Sequence, residues 1–421
     1  MKPSFDVIII GAGAAGLAAA GTLARAGCSV LVLEARDRVG GRCWTRRMSG
    51  LDIPVELGAE FIHGEAAATH ALLEEAGIAA VDSTREQRYL HRDRLRRMNA
   101  FAEAQRAIAH APPLKQDVSF AALLARTRVS QETKTLARMM VQGFDAADPA
   151  RVSARSIVEE WGEGGSLGAS QPRPRGGYGV LLDWLARSVV VAGARLQLDS
   201  PVREVQWKRG AAFVRGSSFG RSFDFRGRHA IVTLPLGVLQ SKAVRFSPSL
   251  QKGDALAKLA SGPVLRVAMR FHRAFWERRV PGIAFFHVPE AAFPTFWTPL
   301  PLRAALLTAW AGGPKAARLA GSSSGVLVAR AMQTVAAVFG KVAQEQLAAA
   351  FVQDWQADRC SRGGYSYVLV GGMGARERLA RPLEDTLFFA GEATDTDEAG
   401  TVAGALRSGE RAAREVLKKG V

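Results

Sequence analysis

Cysteine is scarce. The 421-residue chain holds three, Cys28, Cys43 and Cys360, with neither paired nor metal-type spacing. That argues against a disulfide framework and against zinc. The seven histidines form no HxxxH or His/Cys cluster, so no metal is expected. Long apolar runs are missing too: nothing supplies the roughly eighteen uncharged residues of a membrane span. Lys2 and the apolar stretch after it resemble a secretory leader, but fixed glycines break that stretch. A soluble, cytoplasmic protein with an uncleaved N-terminus is expected. Acid is also in short supply, and the net charge is +17. The densest basic stretch, "REQRYLHRDRLRRM" (85–98), alternates like a hairpin, and no helix-turn-helix, RRM or zinc-finger pattern accompanies it. A solvated arginine face is expected there, with no nucleic-acid partner.

What the chain does have is ordinary globular composition, 48% hydrophobic and 23% charged, and enough length for two or three units around a ligand. Residues 6–16 read "DVIIIGAGAAG". The apolar run predicts a strand buried on both faces of a parallel sheet. Gly11 makes the tight turn, Gly13 lets the backbone approach a pyrophosphate, and Gly16 lets the helix pack on the strand. Leu17 to Ala26 should be helical and end at Gly27, with the first amides, at Ala14 and Ala15, facing phosphate. "SVLVLEA" is the second strand. Glu34 at its end, followed by Ala35 and Arg36, takes the ribose hydroxyls. The next glycine pair, Gly40 and Gly41, stands before Arg42 in "RDRVGGRCWT". NAD needs no such second loop, whereas a flavin dinucleotide crosses one.

With that loop the chain resembles the flavin amine oxidases: monoamine, polyamine and spermine oxidases and lysine-specific histone demethylases. The blocks "VELGAEFIHG", "PRGGYGVLLDWLA", "LDSPVREVQW", "HAIVTLPLGVL", "WQADRCSRGGYSYVLVGG" and "LFFAGEATDTDEAGTVAGALRSGERAAREVL" follow in the family order. A bacterial polyamine-oxidase-like member is the nearest in flavour. The resemblance implies an α/β chain with a discontinuous, doubly wound, Rossmann-like FAD domain from 1–78, 173–244 and 356–421. It also implies an α+β substrate domain from 79–172 and 245–355, a mixed sheet flanked by helices. Residues 79–172 read as mostly helical, with "GEGGSLGASQPRPRGG" as a flexible return loop.

It further implies a set of FAD contacts: Gly58, Ala59, Glu60 and Phe61 along the substrate face, Val202 at the adenine, Trp355 and Tyr365, and Gly391 with Glu392 at a ribose. Gly400, Thr401 and Val402 would form the start of the last helix, whose dipole faces the flavin. The cofactor is expected to be non-covalent, because Gly364 stands where monoamine oxidases attach FAD to a cysteine and Cys360 lies too far upstream. The implied reaction oxidises a C–N bond of an amine by hydride transfer to flavin N5. Imine hydrolysis follows, with reoxidation by O2 to hydrogen peroxide. Tyr365 orients the amine, and Thr401 replaces the second tyrosine of the monoamine oxidase cage. His63 hydrogen-bonds a substrate nitrogen, with Glu60 pointing to the other side of an extended segment. Two or three of Trp276, Phe285, Phe286, Phe296, Trp297 and Trp310 line the pocket.

Arg266, in "GPVLRVAMRFHRAFW", stands where most members carry a lysine. Arginine keeps its charge, so it is no general base, and slow reoxidation or an unusual substrate follows. A polyamine-type amine is favoured, in a monomer or homodimer. An L-amino-acid oxidase, another flavin oxidoreductase on this fold, and a flavoprotein with little turnover remain open.

Overall fold

A computed structural model describes residues 4–83, 86–92, 94–162 and 171–420. Its first sheet is built around Ser4–Ile10, which pairs in parallel with Arg221–Val232 on one side and Val30–Leu33 on the other. Val7 to Ile10 are buried, which is why this strand reads as an unbroken apolar run. The full order is Arg245–Ser247, Val202–Lys208, Ala211–Ser218, Arg221–Val232, Ser4–Ile10, Val30–Leu33, Arg195–Gln197, with Leu387–Phe389 beside the end of Arg221–Val232. Strand Arg245–Ser247 therefore joins this sheet, so the boundary expected after residue 244 falls inside it. The edge position is reached by parallel pairing with Val202–Lys208, a long-range contact with no local signature.

The first helix runs Ala14–Arg25, starting three residues ahead of the expected Leu17. It buries an alanine-rich face against Tyr178–Val191 and the last helix, Val402–Leu417. The approach is close: a Cβ on Gly409 would sit 2.1 Å from the Ala15 carbonyl oxygen.

The second sheet is seven-stranded and mixed, in the order Leu347–Asp354, Val264–Phe271, Leu306–Gly312, Thr295–Trp297, Phe285–His287, Gln87–His91, Arg94–Arg97. The last two form the arginine hairpin, with Arg94, Arg96 and Arg97 exposed on the sheet edge, where charge discourages further strand pairing. Helix Ser324–Phe339 covers this sheet. Four helices between 100 and 161 make a separate core, each opened by a side-chain cap from Asn99, Ser119, Ser130 or Ser153. The return loop lies partly outside the described residues. No helix among the described residues is long and apolar enough to cross a membrane.

Candidate cofactor and substrate cavity

A cavity of about 950 Å³ runs between the two sheets and is lined from both ends of the chain. Every residue of the expected set lines it except Gly16. That residue faces its own turn, where a Cβ would lie 1.9 Å from the Gly11 carbonyl oxygen. Its role is helix-on-strand packing, with no contact to a ligand.

The two glycine loops touch each other. The Gly40 amide donates to the Ala12 carbonyl at 2.9 Å, and Gly13 and Gly40 form a parallel bridge. Glu34 is held by the backbone amides of Ala12 (2.8 Å) and Arg36 (3.0 Å). The Arg36 guanidinium is engaged by Asp358 and Ser361. Arg42 crosses the chain, donating to Glu392 at 2.9 Å and to the Gly364 carbonyl at 2.5 Å. Burial opposes ionisation of Glu392, but Arg42 and Arg376 outweigh it and hold its pKa below the ordinary value. The Ser366 hydroxyl donates to its other oxygen at 2.6 Å. Glu392 therefore anchors Arg42 as well as lining the cavity.

At the far end the interior strand Val264–Phe271 carries one fully buried charge, Arg266, among apolar neighbours, with Arg270 only partly buried further along. Its guanidinium pairs with Glu60, donates to the Gly58 carbonyl at 2.9 Å, and sits 5.1 Å from the Trp297 ring. Arg173 also donates to Glu60 (2.7 Å), and so does the Trp297 indole (3.0 Å). Burial would raise the Glu60 pKa, but the two arginines override it and keep the carboxylate ionised. Glu60 and His63 both line the cavity, and their side chains have different partners: Glu60 meets Arg266, Arg173 and Trp297, His63 meets Phe61 and Phe144. The strand here is only Val55–Glu56, so strict alternation does not extend to residue 63.

His63 stacks edge-on against Phe144 at 4.9 Å, and burial lowers its pKa to about 4. Tyr365 packs beside Gly400 and donates its hydroxyl to the Phe144 carbonyl. Thr401 is the N-cap of the last helix: its hydroxyl accepts from the Gly404 amide (3.0 Å) and donates to the Glu398 carbonyl (2.6 Å). Both hydrogen-bonding capacities are thereby used within the fold. Trp355 donates to the Leu57 carbonyl at 2.9 Å. Phe285, Trp297 and Trp310 line the cavity, while Trp276, Phe286 and Phe296 belong to the second core. Sequence reading missed Arg173, Glu56, Asp145, Glu160 and Arg376. Each is a charged residue in an unremarkable local context; folding brings Asp145, Glu160 and Arg376 to the cavity, and Arg173 and Glu56 to a small pocket behind Glu60 and Arg266.

The model of the family described as "Flavin containing amine oxidoreductase" matches residues 14–417. The chain belongs to this family. Lysine-specific histone demethylase 2 of Homo sapiens is 28% identical over 98% of this chain and 53% of its own length. Polyamine oxidase 4 of Oryza sativa subsp. japonica is 28% identical over 98% of this chain and 89% of its own. The chain spans about half the length of the Homo sapiens demethylase and of lysine-specific histone demethylase 1B of Mus musculus. Two solved structures share the fold. A putrescine oxidase bound to putrescine has a TM-score of 0.83 at 23% identity, covering 99% and 100% of the two chains. Cyclohexylamine oxidase from Brevibacterium oxydans has a TM-score of 0.81 at 23% identity, covering 99% of each.

The cavity fits the family's cofactor, FAD. A Cβ at Gly13 would meet nothing within 4 Å, leaving open backbone where a pyrophosphate needs room, and the backbone at Gly391 is equally open. The first helix has neither a side-chain cap nor an acid in its first turn, so its leading amides remain for an anion. FAD would be held through these amides, Glu34 and Arg42.

Two buried histidines tie stability to pH. Burial holds His63 and His287 near pKa 4, against an ordinary 6.5. The unfolded chain therefore binds protons first as pH falls. Their contribution is complete above pH 6.5 and is lost on the way to pH 4. Glu56 acts oppositely: burial raises it to about 7, so it withdraws stability as pH rises from 4.5 towards 7. His287 has a buried Nε2 without a partner. His287→Phe should flatten the acid limb of the urea midpoint plotted against pH, and an unchanged slope would show that His287 is not held neutral.

Proposed function

We propose that this chain oxidises the C–N bond of an amine, with a polyamine-type amine favoured and O2 as the electron acceptor. The observation that carries the reading is the chamber at the far end of the cavity. Phe61, His63, Phe144, Trp297 and Tyr365 wall it, and the arginine beside Trp297, Arg266, is already tied to Glu60. FAD, when bound, supplies the two-electron oxidation and passes the electrons to oxygen, which leaves as hydrogen peroxide. The aromatic walls exclude water and favour an amine that has shed its proton. Neutral His63 can accept a hydrogen bond from the amine nitrogen without repelling it. Tyr365, fixed by its hydroxyl at Phe144, presents its ring face to the same nitrogen.

An amino-acid substrate fits less well. Its carboxylate needs a free, bidentate arginine fork. Arg266 spends one Nη on Gly58 and the other on Glu60, leaving only Nε, which has no partner. Names borne by relatives, polyamine oxidase among them, support an amine in the same direction. Anaerobic mixing of the yellow holoprotein with a panel of amines and L-amino acids is the test. Bleaching by amines is expected; bleaching by amino acids alone would overturn the reading.

A further inference from the structure

Strands Ala211–Ser218 and Arg221–Val232 of the first sheet are joined by a two-residue turn, Phe219 and Gly220. Both have positive φ, 47° and 76°, which is the requirement of a type I′ hairpin turn. Asparagine, aspartate or glycine suits the first position, because a bulky side chain there strains the backbone. Phenylalanine stands there instead, and its ring is 85% exposed. No other aromatic ring among the described residues is strongly exposed. A ring so open to water has too little contact within the fold to offset either cost.

The hairpin also outruns its sheet. Pairing with Val202–Lys208 stops at Gly216, and pairing with Ser4–Ile10 starts only at Arg226. At the usual rise per residue, the apex stands about 10 Å beyond the level of Gly216. Around that level lies an open surface cleft whose cations are Arg203, Arg215, Lys242 and Arg245, against the carboxylates Glu204 and Asp224. Both carboxylates are engaged by Arg215 or Arg245. Arg203, Lys242 and, beside the apex, Arg221 are exposed, so positive charge is in surplus around the hairpin.

We propose that this hairpin docks the protein on an anionic lipid surface, with Phe219 entering the interface and Arg203, Arg221, Lys242 and Arg245 meeting the headgroup phosphates. Apolar faces of interfacial anchors sit about 5–10 Å into the boundary between headgroups and acyl chains. An apex about 10 Å ahead of the cleft puts the ring at that depth while the cations stay among the headgroups. Each cation close to an anionic surface strengthens binding roughly 5-fold at low salt. The net charge of +17 draws the whole chain the same way. A nucleic-acid duplex would satisfy the cations but leave the ring in water, so a lipid surface is the better fit.

Flotation of the holoprotein with phosphatidylcholine vesicles, with and without phosphatidylserine, is the test. Binding is expected only with phosphatidylserine, and added salt should weaken it. Phe219→Asn gives the turn a preferred residue, so thermal unfolding should show a fold as stable as the wild type or more so. Its vesicle partition should nevertheless fall roughly 10-fold, the lower end of what burying a phenylalanine ring supplies. Arg221→Gln combined with Lys242→Gln should cut it roughly 25-fold, two losses of about 5-fold each. No binding of the wild type to phosphatidylserine vesicles overturns the proposal. Equal binding with and without phosphatidylserine overturns it too, as does equal binding by wild type and Phe219→Asn. Tighter binding to a DNA duplex than to the vesicles would make the face a polyanion site and would likewise overturn it.

Discussion

Glu60→Gln should destabilise the protein by about 3–5 kcal/mol, the usual cost of removing one partner from a buried ion pair. Arg266→Met should cost distinctly less. The asymmetry comes from the count of partners. Glu60 is the single carboxylate between two guanidiniums, and it also accepts from Trp297. Its loss leaves Arg266 buried and charged with no counter-ion. Loss of Arg266 leaves Glu60 still paired with Arg173, whose other nitrogens reach the Thr298 and Leu300 carbonyls. Urea unfolding of the two holo-variants measures the difference, and equal losses would sink this account. Arg266→Lys separates structure from chemistry. A lysine is shorter, meets Glu60 as a point charge and can shed its proton when buried. Stopped-flow reoxidation by oxygen should be faster in Arg266→Lys than in the wild type. Identical rates would mean that Arg266 has no influence at the flavin.

Arg42→Ala and Glu34→Ala should each weaken FAD retention by about 1.5–3 kcal/mol, or roughly 10- to 100-fold in Kd. The Arg42 change should be the larger. It removes a cation from the cavity wall and also strips Glu392 of the partner that keeps it ionised, leaving Arg376 and Ser366. Glu34→Ala frees the amides of Ala12 and Arg36 and deletes a ribose acceptor. Titration of apo-protein with FAD gives both constants. Unchanged affinity in both variants would refute the cradle. Acid precipitation of the holoprotein should leave a white pellet and yellow supernatant, and colour in the pellet would mean a covalent bond.

The dinucleotide half was largely legible because its determinants are local. Three glycines in six residues, an apolar run before them and an acid after the second strand are short-range demands. They read the same in the sequence as in the folded strand–helix–strand unit. The last helix was legible for the same reason: Leu406, Gly409, Ala412, Ala413 and Val416 recur at helical spacing and are all buried. The mixed sheet could be named as strands, but not as an order of strands. Pairing of Phe285–His287 with Gln87–His91 joins segments about two hundred residues apart and has no signature in either.

By itself the sequence determined the glycine-turned strand–helix–strand unit, the last helix and the arginine standing in an interior strand of the second sheet. Only the tertiary structure decided what surrounds that arginine and what sits beyond Tyr365. Glu60, Arg173 and Trp297 converge on Arg266 from three distant segments, and Asp145 meets Glu160 across a turn and a helix. The reason is electrostatic. A carboxyl's partner is chosen by proximity in a dry interior, where an unpaired charge is costly, and spacing along the chain carries no record of that choice.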